Sequence, residues 1–114
     1  MQNTNFEIIQ GDTWSFDVYY EDQSGSPINI SNKNIIAEVR DKQGGQVLCA
    51  TADLNDGISL IDFPTLNNAI RITFSPEKTA KFNLPKSAYQ IKVVETGDTL
   101  LIGYVNVSPG VINV

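Results

Sequence analysis

Apolar and polar side chains alternate one by one along several stretches of this 114-residue chain. In the clearest stretch, Trp14, Phe16 and Val18 alternate with polar or exposed-type residues. A repeat of two residues is typical of β-strands that bury one face, because successive side chains point to opposite sides of a sheet. The alternating segments are 13–20, 35–40, 70–74 and 89–94. Weaker patterns predict strands at 6–10, 47–54, 58–63 and 100–107, and the first is short enough to suit a sheet edge.

The alternation also predicts which side chains are buried. We expect the core between two sheets to contain Trp14, Phe16, Val18, Val39, Ile72, Phe74, Tyr89, Ile91 and Val93. The opposite faces of the same strands carry three apolar side chains, which are expected to be exposed: Tyr19, Ile36 and Val94. Single exposed apolar residues are normal on monomers, so only a contiguous cluster would indicate an interface.

Turn-forming residues separate the predicted strands. Glycine-containing turns are expected at 41–45, 55–57 and 96–99, and the Asp-Gly pair in the second favours a tight hairpin. Residues 24–27 predict a longer loop, and 75–82 a helical turn with Ser75 as N-cap. Together these features predict an all-β fold, an antiparallel immunoglobulin-like sandwich of about seven to eight strands with one short helical turn. Leu84 and Pro85, shortly before Tyr89, resemble the tyrosine corner of such sandwiches, in which the hydroxyl binds upstream backbone.

Chain length indicates a single β-sandwich domain over 6–114, preceded by a flexible, polar N-terminal arm at 1–5. A chain of this size can bury a sufficient core without a disulfide or a metal ion. The lone Cys49 has no partner for a disulfide within the chain and is expected to act as a small apolar strand residue.

Charge and residue types exclude several functions. The net charge of −5 and the scattered lysines and arginines argue against a nucleic-acid partner, and no apolar stretch approaches the length of a membrane span. The sequence has no histidine, which removes Ser-His-Asp and Cys-His catalysis and most zinc sites. We therefore predict no enzyme activity, no catalytic residue and no cofactor. A calcium ion held by loop acids stays open as a minor alternative, with Glu21, Asp22, Asp53 and Asp56 as the candidate ligands.

A protein-binding surface is the remaining kind of site. A partner is expected to contact the N-terminal arm, an exposed strand edge or the loop at 21–27, because an edge offers unpaired main-chain groups to another strand. The candidate interface residues are Tyr19, Glu21, Asp22, Ser24, Gly25 and Ile36.

The order of short motifs along nearly the whole chain resembles a family of small phage and prophage virion proteins. In the N-terminal half these motifs are Gly-Asp-Thr-Trp at 11–14, Gly-Ser-Pro-Ile-Asn-Ile-Ser at 25–31 and Ala-Glu-Val-Arg at 37–40. In the C-terminal half they are Ser-Pro-Glu-Lys-Thr-Ala at 75–80, Tyr-Gln-Ile-Lys-Val at 89–93, Leu-Ile-Gly-Tyr-Val-Asn-Val at 101–107 and Pro-Gly-Val at 109–111.

The resemblance implies an immunoglobulin-like or fibre-attachment sandwich of a phage tail, baseplate or collar, made in the bacterial cytoplasm and located in the virion. Its expected role is that of an adaptor or decoration protein that docks on a larger virion protein, with self-association in the particle left open. One alternative is a soluble phage-encoded protein that binds and inhibits a host protein. Carbohydrate binding through Trp14 and the tyrosines is a third, less favoured because Trp14 lies on the predicted core face.

Overall fold

Two β-sheets pack face to face in a computed structural model that describes residues 2–22, 24–26, 28–30, 33–61 and 69–110. The strands are β1 (Gln2–Asn3), β2 (Phe6–Ile9), β3 (Trp14–Tyr19), β4 (Ile35–Arg40), β5 (Leu48–Asp53), β6 (Ile58–Leu60), β7 (Ala69–Phe74), β8 (Lys86–Val93) and β9 (Thr99–Ser108). One short helix, α1 (Pro76–Thr79), follows β7. The ends of three predicted segments, at Phe63, at Pro27 and at 111–114, lie outside the described residues.

Strand order divides the chain unevenly between the sheets. The large sheet has the order β1-β9-β8-β4-β5, and β2 also pairs with β9. The small sheet has the order β3-β7-β6. All pairs are antiparallel except those of β1 and β2 with β9, which are parallel, so the prediction of a wholly antiparallel sandwich is wrong at the N-terminus. The all-β, two-sheet sandwich itself is confirmed.

The core lies between the sheets where the alternation placed it. Trp14, which is 6% exposed, stacks on Phe74 and makes an edge contact with Phe82, with ring centroids 5.4 and 5.9 Å apart. Of the predicted core residues, all are buried except Phe16, which is partly buried. Phe16 belongs to an edge strand, so its ring packs at the margin of the core, against Phe6 and Trp14. Tyr19, Ile36 and Val94 are exposed, as predicted.

The N-terminal segment lies along β9. The Thr4 N–H donates to the Ile102 carbonyl at 3.0 Å, and the Asn5 side-chain oxygen accepts a hydrogen bond from the Tyr104 N–H, also at 3.0 Å. The expectation of a flexible arm at 1–5 is therefore corrected for residues 2–5, while Met1 lies outside the described residues. The sequence pattern does not predict this pairing, because the segment has polar side chains without alternation. The pairing uses main-chain groups, which any residue supplies.

Tyr89 joins the N-terminal segment to the core. Its ring is buried, and its hydroxyl donates to the Thr4 carbonyl, far along the chain and not to the backbone just upstream. The predicted tyrosine corner is therefore wrong. The pairing along β9 brings the Thr4 carbonyl within reach of this hydroxyl, since Tyr89 lies opposite Gly103 and Thr4 passes directly over that glycine.

Alkaline pH should reveal this buried hydroxyl. Burial raises the pKa of Tyr89 to about 12, whereas tyrosine in an unfolded chain has a pKa of about 10. Because the folded-state pKa is higher, the stability contributed by neutral Tyr89 is complete below about pH 10 and is lost as the pH rises towards the folded pKa. Urea unfolding between about pH 9 and pH 11.5 should show a steeper loss of stability in the wild type than in Tyr89→Phe. Equal slopes would contradict this assignment.

Two of the three predicted glycine turns connect neighbouring strands, and one does not. The turns at 41–45 and 96–99 join β4 to β5 and β8 to β9, as expected. The turn at 55–57 is not a hairpin, because β5 and β6 belong to different sheets. Gly57, at φ 99°, lets the chain cross between sheets, and its carbonyl accepts the Thr73 N–H at 2.7 Å. A side chain at Gly57 would place its Cβ 2.6 Å from the Thr73 carbonyl oxygen.

The predicted helical turn is present. Ser75 caps α1, and its hydroxyl accepts from the Lys78 N–H at 3.4 Å. Thr79 is buried and its hydroxyl donates to the Asp12 carbonyl at 2.8 Å, which attaches the helix to the turn before β3. Within the described ranges, no helix is long and apolar enough to cross a membrane.

Candidate functional site

A cleft of about 340 Å³ lies between the end of β3 and the start of β9. Its lining includes six consecutive residues, 17–22, together with Thr99, Leu100 and Leu101. Consecutive residues of a strand point to opposite faces of its sheet, so a surface that contacts all of them borders the edge of the strand and not a face. The cleft therefore follows the main-chain edge of β3.

The hydrogen bonds of β7 show which side of β3 this edge is. The Ala69 carbonyl accepts from the Ile61 N–H at 3.1 Å and the Thr73 N–H donates to Gly57, so alternate residues of β7 direct their main-chain groups towards the β6 side. The intervening residues of β7 then bond to Trp14, Phe16 and Val18 of β3, which lie opposite them. It follows that Ser15 and Asp17 direct their N–H and C=O groups away from β7. In the described part of the chain, no strand pairs with that side of β3.

The far end of the cleft is held by a side-chain contact between the sheets. Tyr20 is buried, and its hydroxyl donates to the Asp98 carboxylate at 2.6 Å. This hydrogen bond raises the pKa of Tyr20 and lowers the pKa of Asp98. The contact fixes the end of β3 against the turn between β8 and β9.

Asp22 organises the loop that continues from the cleft. One of its carboxylate oxygens accepts from the Ser24 N–H at 2.9 Å, from the Ser24 hydroxyl at 2.7 Å and from the Ser26 N–H at 2.9 Å. These bonds, with that of the Ser24 hydroxyl first, lower the pKa of Asp22, so the carboxylate is ionised. Gly25 completes the turn at φ 86°. This local bonding is common for aspartate in turns.

The structure brings some of the predicted interface residues together and separates one. Tyr19, Glu21 and Asp22 line the cleft, and Ser24 and Gly25 lie in the adjoining loop. Ile36, 39% exposed, lies on the outer face of the large sheet, whereas Tyr19, 52% exposed, lies on the outer face of the small sheet. Ile36 and Val94 share a separate shallow depression of about 260 Å³ with Glu38 and Lys92. Tyr19 and Ile36 therefore do not share one surface, and the role of either residue in an interface stays a prediction.

The four acids considered for calcium do not converge. Asp53 accepts from the Asn55 N–H at 2.9 Å, and Asp56 pairs with Lys78 at 2.9 Å, near the beginning of β3. Glu21 and Asp22 follow the other end of this six-residue strand, about 20 Å away at the usual rise per residue. Across the described ranges, no group of three or more carboxylate, thiol or imidazole side chains is placed to hold a metal ion. The four candidate acids therefore do not form one calcium site in the described part of the chain.

Sequence reasoning missed Thr99, Leu100 and Leu101 as part of the site. These residues line the cleft because β9 lies beside β3 across the sandwich, although the two strands belong to different sheets. No local signal in the sequence marks this neighbourhood, since it depends on how the sheets are assembled. A scan against protein-family models and a search of the curated proteins found no match to this chain.

Proposed function

We propose that this protein is a non-enzymatic binding module that serves as a structural or assembly component of a bacteriophage virion. The observation that carries the proposal is the cleft along the edge of β3, because an open strand edge recognises another protein through main-chain hydrogen bonds. The lack of histidine in the sequence and the dispersed acids support a role in binding over one in catalysis. The virion setting comes from the sequence resemblance to small phage and prophage proteins.

The immunoglobulin-like character of the sandwich is part of this proposal. With β1 and β2 taken as strand A, the large-sheet order β9-β8-β4-β5 corresponds to G-F-C-C′ and the small-sheet order β3-β7-β6 to B-E-D. That division of strands between two sheets is characteristic of immunoglobulin-like sandwiches. Such domains act as adaptors through loops and edges while their cores stay unchanged.

The proposed partner is a larger protein of the tail, baseplate or collar, on which this chain docks as an adaptor or decoration. Mass spectrometry of particles purified from the strain that encodes the chain tests this directly, with a strain lacking the gene as the control. We expect the chain in the particles at a constant ratio to the major virion proteins. Recovery only from the particle-free lysate, in complex with a host protein, would overturn the virion assignment and favour the inhibitor alternative.

A further inference from the structure

Strand edges in this sandwich are closed to different degrees. On the large sheet, the Lys78 ammonium donates to the Thr51 carbonyl of β5 at 2.7 Å, and the Asp53 N–H and C=O bond with Asp56. The free side of β9 is covered by β1 and β2. On the small sheet, β6 is three residues long, whereas β3 has six. Among the described strands, β3 therefore presents the longest edge without a covering element.

The open edge has a cause in the path of the N-terminal segment. In immunoglobulin-like sandwiches with an A-B-E-D sheet, strand A covers the edge of strand B. Here β1 and β2 pair with β9 of the other sheet, and the place beside β3 is left as the cleft. The start of β9 borders the same cleft, because β1 reaches only Leu101 and Ile102.

The charges and apolar side chains that line the cleft indicate which kind of segment could bind there. Asp17, Glu21 and Asp22 supply carboxylates, and none of the described residues that line the cleft is a lysine or an arginine. Arg71 binds Asp17 from the outer face of the small sheet at 2.9 Å, which leaves Glu21 and Asp22 as the charges not paired with a base in the described contacts. Leu100 and Leu101 add an apolar wall. An extended segment in which basic residues alternate with apolar or hydroxyl residues matches both the acids and the leucines.

We propose that the cleft receives an extended segment of the partner protein, bearing lysine or arginine, that pairs with the open edge of β3 as an additional strand. This inference rests on the proposed binding function and specifies its site and partner chemistry. The outward main-chain groups of Asp17 supply the pairing within the cleft, while Glu21 and Asp22 attract the basic side chains. The edge gives affinity, and the acids select the partner by charge.

Peptide titration of the full chain, followed by amide NMR shifts, tests this inference. The probe is a capped peptide in which lysine alternates with valine and threonine, and the matched control carries glutamate at every lysine position. We expect the lysine peptide to shift the amide signals of 17–22 and 99–101 and the glutamate peptide to leave them unchanged. Equal binding of both peptides, or shifts confined to other residues, would overturn the proposal.

Proline substitutions separate the edge from the rest of the strand. Asp17→Pro removes an outward N–H inside the cleft without removing a β3–β7 hydrogen bond, and edge strands tolerate such a proline. Ser15→Pro removes the equivalent group just outside the cleft. We expect Asp17→Pro to weaken lysine-peptide binding at least about tenfold, and Ser15→Pro to change it less than about threefold. Equal losses in the two variants would contradict the proposed register.

Charge variants keep the test decisive if a proline variant does not fold. Glu21→Lys leaves the backbone intact and is expected to weaken lysine-peptide binding and to strengthen glutamate-peptide binding. Asp17→Asn shows how much of the proline effect is due to charge. If the wild-type chain forms dimers and Asp17→Pro abolishes them, the occupant of the cleft is a second copy of this chain and not a basic partner. Presence in particles at a constant ratio, together with no peptide binding, would refute this inference and leave the proposed function standing.

Discussion

Replacing Trp14 by alanine is expected to lower the free energy of unfolding by about 3–5 kcal/mol, a large part of the stability of a typical domain. Trp14 contacts rings from both sheets: Phe74 lies on the small sheet and Tyr89 on the large one, with centroids 5.4 and 5.8 Å away. Truncation leaves a cavity at this junction that the surrounding strands fill only in part. Urea unfolding followed by circular dichroism measures the loss.

Phe16→Ala is the matched control for Trp14→Ala, because it removes an aromatic ring from the same strand and the same face. Its ring is only partly buried at the margin of the core, so the expected cost is clearly smaller than that of Trp14→Ala. Trp14→Phe should recover part of the stability. Equal losses in the free energy of unfolding for Trp14→Ala and Phe16→Ala would show that Trp14 is not the central residue of the core.

Local pattern predicted most of the strands because burial of one face imposes a repeat of two residues wherever a strand lies on the core. The segments around Val18, Val39 and Ile72 carry this repeat, and each is a strand with those residues buried. The pattern carries no information on which strands become neighbours. The turn at 55–57 has the composition of a hairpin, yet Gly57 carries the chain to the other sheet.

Only part of the cleft could be predicted from the sequence, because the pattern does not show which strands become neighbours. The sequence predicts Glu21 and Asp22 as interface residues, and both line the cleft. Leu100 and Leu101 carried the signal of an ordinary buried strand. Their position beside β3 depends on how the two sheets are assembled. The N-terminal segment pairs with β9 through main-chain bonds, which leave no pattern in the side chains.

Gly103→Ala is expected to displace the N-terminal segment from β9. A Cβ at this position would collide with the Thr4 carbonyl oxygen, and it would come 3.1 Å from the Asn5 side-chain oxygen. Backbone atoms have little room to yield, so residues 2–5 must move and lose their bonds to Ile102, Tyr104 and Tyr89. We expect a loss of about 3 kcal/mol, at the upper end of overpacking costs, measured by urea unfolding. Asn106→Ala, at an exposed position on the same strand, should change stability by less than about 0.5 kcal/mol.

A chain lacking residues 2–5 separates this collision from any other effect of the methyl group. The three atoms nearest to the added Cβ all belong to Thr4 and Asn5, so Gly103→Ala in the shortened chain should cost less than about 0.5 kcal/mol. The two changes are therefore expected to be strongly non-additive, because both remove the same contacts. Hydrogen exchange at the Tyr104 N–H should accelerate in either variant, since its acceptor is the Asn5 side chain. Additive costs would mean that Gly103 serves the packing of β9 and not the seating of the N-terminal segment.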